Sequence, residues 1–298
     1  MDSEMIDTAE MLKTFIDGLD PKSVLYVDLE GNELGRGGTL SLITILVEPR
    51  HTVHLVDVTT LKKEAFSVTG SNGTTLKQIL ESSEIIKVFF DIRHDSDALF
   101  SLFQVSVGGI KDLQLMQLAS TLESRVRVRS LATAIEEDAG LSAADSKAWK
   151  KVKDSCKKLF ALERGGDFAI FDKRPLSPEL LTYSVRDVIH MPALRNTYFF
   201  KLHKGWRAKV AAETVARIAL SQSADFVGVG GHMSFGPIAW QQKIKVDPQA
   251  ENEDPGPPLF DNMADRLAYV EFTKGWADRD SPEDTDMQVD NIRRDRGD

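Results

Sequence analysis

Residues 23–30, SVLYVDLE, begin as an apolar run and end in two acids separated by one leucine. A run this short, rich in β-branched and aromatic side chains, predicts a buried strand with a polar C-terminal end. Residues 39–47 and 52–58 are two more such runs, split by the turn Glu48-Pro49-Arg50. Three successive strands with so short a second connection predict an antiparallel meander. Ahead of them, Met11, Leu12, Phe15 and Leu19 recur at helical spacing, so 8–19 reads as an amphipathic helix with Gly18 marking its end. After the meander the pattern predicts a helix over 74–80, a buried strand over 85–90 (IIKVFF), and helices over 96–103 and 113–122 with a short strand over 109–112 between them. Beyond Leu122 the periodicity is helical throughout, over 131–139, 145–159, 177–198 and 202–222. Ser177, Pro178 and Glu179 give the third of these a hydroxyl cap, a proline at its first position and an acid in its first turn. A mixed sheet followed by packed helices is an α/β layered fold.

Composition narrows the setting. The 298 residues are 42% apolar, enough for one large core or two small ones. No run approaches the roughly 20 apolar residues of a membrane span, so a membrane is not expected as a partner. The opening MDSEMIDTAEMLKTF is acidic and unlike a secretory signal or a transit peptide. Cys156 is the single cysteine, which excludes an internal disulfide and argues against a cysteine zinc site. An intracellular location, nuclear or cytoplasmic, is the expectation.

The net charge of −9 is unevenly distributed. From Asp247 onward there are 15 Asp/Glu against 6 Lys/Arg, which leaves the rest of the chain neutral. That neutral body carries a basic run (Lys147, Lys150, Lys151, Lys153, Lys157, Lys158, Arg164) and a second group at Arg195, Lys201, Lys204, Arg207 and Lys209. Single lysines of this kind are ordinarily solvated helix faces; together they form patches able to follow a phosphate backbone. The acidic, Pro-bearing tail has the composition of disorder, interrupted by the more apolar 265–276.

Three acidic elements stand out against this background. Asp28 and Glu30, two apart on a strand, point to one side, while Leu29 points away, into the core or toward a substrate base. Asp91, Asp95 and Asp97 follow the IIKVFF strand and open a helix, where caps and dipole partners are also expected. Tyr183 and Asp187 are four apart on one helix and therefore neighbours. His190, one turn on, reads more simply as a surface or capping histidine, and so does His94. Gly35-Arg36-Gly37-Gly38 precedes a strand rather than a helix, so it is not a phosphate-cradling loop; a flexible border to the cleft, with Arg36 within reach of phosphate, is the alternative.

These three elements, in this order, resemble the DEDD superfamily of 3′–5′ exonucleases, and the Tyr-x-x-x-Asp form of the last one resembles its DEDDy subgroup, which includes RNase D and Werner-type exonuclease domains. Arg174-Pro175-Leu176-Ser177-Pro178-Glu179-Leu180-Leu181-Thr182 looks like the lead-in to that last motif, and Ile110-Lys111-Asp112-Leu113-Gln114-Leu115 is similar to the family's Asp-Thr-Gln segment with Leu113 in place of Thr. Gly31 after Glu30, together with the Asp-x-Arg-x-Asp-Ser run containing Arg93, looks closest to the Egalitarian-like branch. The likeness covers about residues 24–198. It implies a ribonuclease H-like mixed sheet and an exonuclease domain over 23–200, preceded by an N-terminal helix over 1–22 and followed by a helical extension over 201–246 and an acidic tail over 247–298.

Carried over position by position, the resemblance implies that Asp28, Glu30 and Asp187 hold one Mg²⁺ or Mn²⁺. Asp28 would bridge to a second ion, held also by the middle carboxylate. That carboxylate falls on Asp95, with Asp97 second and Asp91 third. Tyr183 would orient the attacking water, and Leu29, Gly31, Arg36 and Arg93 would border the substrate. The implied reaction releases nucleoside 5′-monophosphates from the 3′ end of RNA or single-stranded DNA. The alternative is a weakly active or inactive exonuclease fold serving as an RNA-binding scaffold. The acidic tail and the C-terminal region suggest a protein partner in either case.

Overall fold

The computed structural model describes residues 3–122 and 124–241. Its centre is a six-stranded mixed sheet in the order β1-β4-β3-β2-β5-β6. The strands are β1 (Ser3–Ile6), β2 (Val24–Glu30), β3 (Leu42–Glu48), β4 (Thr52–Asp57), β5 (Ile86–Phe89) and β6 (Ile110–Asp112). β2, β3 and β4 form the antiparallel meander, while β5 and β6 add in parallel beside β2. The strands of the meander are almost wholly buried, as their β-branched sequences require. Helices α1 (Ala9–Gly18), α2 (Val58–Leu61), α3 (Glu64–Ser67), α4 (Leu76–Glu81) and α5 (Arg93–Phe103) follow in and around the sheet. The remaining helices are α6 (Leu113–Ser120), α7 (Leu131–Asp138), α8 (Ala143–Phe160), α9 (Pro178–Val188), α10 (Met191–Lys201) and α11 (Lys204–Gln222).

Two expectations need correction. The N-terminal segment is not a helix alone, because Ser3–Ile6 forms a strand parallel to β4 at the sheet edge. Its sequence SEMI buries only Ile6 fully, so it carries almost no hydrophobic signal. The single long helix expected over 177–198 is two helices, α9 and α10, with Pro192 in the first turn of the second. Proline lacks the N–H that a continuous helix would use there. The acidic tail, including 265–276, lies outside the described residues.

The main core packs Leu25, Val27, Ile43 and Ile45 of the sheet against Leu12, Phe15 and Ile16 of α1 and Leu99 of α5. A second cluster joins α8 to α9 through Cys156, Phe160, Phe171, Leu180 and Tyr183. α9 lies over β2 and β3, and this placement brings the last acidic element to the first.

Candidate active site

On β2, Asp28 and Glu30 sit at the strand's C-terminal end, with Thr44 and Leu42 of β3 directly opposite them. α9 places Asp187 above them. Carboxylate oxygens of Asp28, Glu30 and Asp187 lie within 4.8 Å of one another. Crowding and burial act together on these groups. Burial, then the Asp187 charge, push Asp28 up to about 7, and burial with the Asp28 and Asp187 charges lifts Glu30 well above the carboxylate range. Beside Asp28, the buried Thr44 hydroxyl has no hydrogen-bond partner among the described residues.

Tyr183, one turn before Asp187, is buried with its ring edge-on to Phe160 at 5.0 Å between centroids. Burial and the neighbouring Asp187, Glu30 and Asp28 charges raise its phenol far above the usual range. It remains protonated at any physiological pH.

Of the three candidates for the middle carboxylate, the structure treats each differently. Asp91 is paired with Arg93 at 2.6 Å and with Arg217 at 3.3 Å. Asp97 accepts from the Arg36 backbone N–H at 2.9 Å and from its Nε at 2.8 Å. Asp95, in the first turn of α5 and 8% exposed, has no cationic partner among the described residues. Burial first, then the Asp28 charge, raise it well above the carboxylate range. It stands outside the 4.8 Å trio but within its field, since its own charge raises Glu30 in turn.

The residues expected to border the substrate have other employment. Leu29 is a core residue. Gly31 backs onto the Thr39 carbonyl so closely that a Cβ would lie 2.0 Å from its oxygen. Its bare Cα serves the strand-to-loop turn. The Arg36 guanidinium binds Asp97 and three carbonyls at the end of α11. Arg93 is buried against Asp91 and the Met233 carbonyl. The donors of both arginines are met by buried acids and carbonyl oxygens of the protein. His94 lies near Phe226, and burial, then Arg186, lowers His190.

Lys153 is a site residue that the sequence reading leaves in a basic run. Its ammonium hydrogen-bonds Asp187 Oδ1 and lies 3.9 Å from the centroid of the Tyr183 ring. It occupies the buried stripe Trp149, Lys153, Cys156, Phe160 of α8, where it is the sole charge. A lysine on an otherwise apolar stripe at helical spacing is the sequence signal that it answers a buried acid. The connector from α8 to α9 is pinned at its far end. Asp172 accepts from Thr39 Oγ1 at 2.9 Å and Ser41 Oγ at 2.6 Å, and Arg174 forms a bidentate pair with the buried Asp57 at 2.6 and 2.7 Å.

Three carboxylates turned toward one point, Asp187 buried and Asp28 and Glu30 half-buried, beside an unsatisfied hydroxyl, form an all-oxygen donor set that suits a hard divalent cation. Sequence comparison agrees with this chemistry. Residues 3–197 match the family model described as 3′-5′ exonuclease, and the chain belongs to that family. It is therefore a member of the 3′-5′ exonuclease family, and its fold is like that of RNase D. Among solved structures it is similar to Trypanosoma brucei RNase D, solved in complex with RNA U12, at 23% identity and a TM-score of 0.64, covering 80% of this chain and 78% of that one. It is also similar to Escherichia coli RNase D, at 16% identity and a TM-score of 0.52, covering 75% of this chain and 52% of that one. No curated protein matches it.

Proposed function

We propose that the protein is a divalent-metal-dependent 3′–5′ exonuclease that removes nucleoside 5′-monophosphates from the 3′ end of a single strand. The observation that carries this reading is the convergence of Asp28, Glu30 and Asp187 within 4.8 Å beneath a protonated Tyr183. Asp28, Glu30 and Asp187 would hold one Mg²⁺ or Mn²⁺, and Asp28 with Asp95 would face a second. Such ions supply Lewis acidity to the phosphodiester and acidify the attacking water. Tyr183 keeps its proton and orients that water through its hydroxyl. Lys153 holds Asp187 through its Oδ1. Its positive charge offsets part of the acid cluster and favours approach of a phosphate.

RNA is the first substrate to test, since the similar T. brucei RNase D was solved with RNA. The exposed lysines of α8, Lys147, Lys151 and Lys158, offer a basic approach to the site. No helix among the described residues is long and apolar enough to cross a membrane. An intracellular location and a protein partner at the C-terminal region, where Val227, Val229 and Ile238 are exposed, belong to the same proposal.

The test is a 5′-labelled single strand, RNA or DNA, incubated with Mg²⁺ or Mn²⁺. Stepwise shortening from the 3′ end with monophosphate release is expected, abolished by chelation. Asp187→Asn should slow it by about a thousandfold, on the order of 4 kcal/mol of transition-state stabilisation, without loss of strand binding. Binding without shortening in the wild type would instead identify a non-cleaving RNA-binding scaffold.

A further inference from the structure

The family match ends at residue 197, yet residues 204–241 hold the helix that carries Asp95. α11 packs across α5 and α6. From it, the buried Arg217 donates through Nη1 to Asp112 at 2.8 Å, Gln114 at 3.0 Å and Asp91 at 3.3 Å. Asp112 in turn accepts the backbone N–H groups of Asp91 at 3.2 Å and Ile92 at 3.4 Å, the two residues that lead into α5. The Asp91 backbone there has φ of 64°, a left-handed conformation that such anchoring must sustain.

The far side of the same turn is held independently. Arg36, on the loop that leaves β2, grips Asp97 and donates to the carbonyls of Ser221 at 2.9 Å, Ser223 at 2.8 Å and Ala224 at 3.1 Å. A cation is favoured at that C-terminal end of α11. Gln222 adds a bond to Ser96 at 3.2 Å, and Arg93 adds one to the Met233 carbonyl at 2.8 Å. Residues 91, 93, 96 and 97 are thus tied to the C-terminal segment, directly or through one arginine. Asp95, in their midst, is not.

We propose that α11 and the following segment to residue 241 form a brace that fixes Asp95 relative to Asp28, Glu30 and Asp187. Arg217 and Arg36 are its positioning residues, and the inference rests on the exonuclease reading with two cations. Arg36 is the joint between the two halves of the site, since it links the loop after Glu30, the helix of Asp95 and the end of α11. The working domain accordingly continues through α11 and does not stop where the family match does.

The test is a Mn²⁺ titration of the full chain by calorimetry, with thermal melting alongside. Wild type should bind two ions. Arg217→Met, which keeps the bulk of the side chain, should retain the tighter ion within about twofold and weaken the other by about tenfold, the scale of outer-shell losses. Asp95→Asn should give the same profile, and Arg217→Lys should recover part of it. Should Arg217→Met fail to fold, Arg36→Gln tests the same brace from its other joint, with the same profile expected. Two ions bound as in wild type, with only a lower Tm, would overturn the brace. So would equal weakening of both ions, the mark of general loosening. Wild type that binds no Mn²⁺ would overturn the exonuclease reading itself.

Discussion

Asp57, Asp91 and Asp97 stand against arginines, whereas Asp28, Glu30 and Asp95 stand against one another. Both sets are largely withdrawn from solvent, so burial alone does not separate them. The ionisation of Asp57 and Asp91 against that of Asp28, Glu30 and Asp95 does. Burial works against the Asp57 and Asp91 charges, but the hydrogen bonds of Arg174 and Arg93 hold both carboxyls below the usual range. Asp28, Glu30 and Asp95, which lack a guanidinium, are pushed upward. Acids left unneutralised beside close neighbours that are paired are what the proposed cation site would require. Among the described residues Lys153 is the internal cation that reaches the trio, through Asp187.

The contrast breaks most visibly at Arg174. Its removal strands Asp57, a buried carboxylate, so Arg174→Ala should cost about 3 kcal/mol in denaturant unfolding. A loss under about 1 kcal/mol would place Asp57 with the solvated acids. Asp28→Asn should do the opposite in metal-free protein. Removing a crowded acid should raise the Tm at pH 8 by on the order of 5 °C, although activity is lost. A fall in Tm would show that Asp28 is neutralised within the fold.

The same pair of proteins gives the pH dependence. The Asp28 carboxyl is raised from 3.8 to about 7 on folding, so the folded state binds more protons between those values. Its contribution is therefore fully present below about pH 4 and is lost as pH rises through about 7. Subtracting the Asp28→Asn melting curve from the wild-type curve should reveal this decline. His54 and His190, lowered by burial, act in the opposite direction below about pH 6.5 and cancel in the subtraction. A flat difference across that window would place no raised acid at Asp28. The smallest effect is expected at an exposed pair of the ordinary kind. Lys150→Ala breaks a 2.9 Å bridge to Glu136 and should cost less than about 0.5 kcal/mol.

Much of this arrangement can be read in the chain, for particular reasons. β2, β3 and β5 are short, mostly apolar runs rich in β-branched and aromatic residues, and such runs have few other structures open to them. The Asp-x-Glu and Tyr-x-x-x-Asp spacings place side chains on one face by local geometry, so the trio follows once α9 is laid over β2. β1 escapes because an edge strand with one fully buried residue has nothing periodic to display. The preference for Asp95 over Asp97 and Asp91 comes from the family resemblance; the pairing that sets these acids apart in the fold is not legible locally. Asp97 and Asp91 are occupied by Arg36 and Arg217, which lie 61 and 126 residues away, and no local pattern encodes such partners. Lys153 was within reach, since Trp149, Cys156 and Phe160 define its stripe.

The paired anchors at Asp172 and Arg174 have an evolutionary consequence. α8 is fixed at Phe160 by Phe171 and Tyr183, and the chain is fastened again at Asp172, with Phe168 and Ile170 packed on the core between, so only the turn at 162–165 stands out from it. Arg164 and Gly165 lie exposed on that span, Gly165 in a left-handed turn with open space where a side chain would be. Lineages are free to lengthen or decorate it, because the slack is taken up before the chain reaches Tyr183. Variation in this loop among relatives should track who meets the protein rather than how well it cuts.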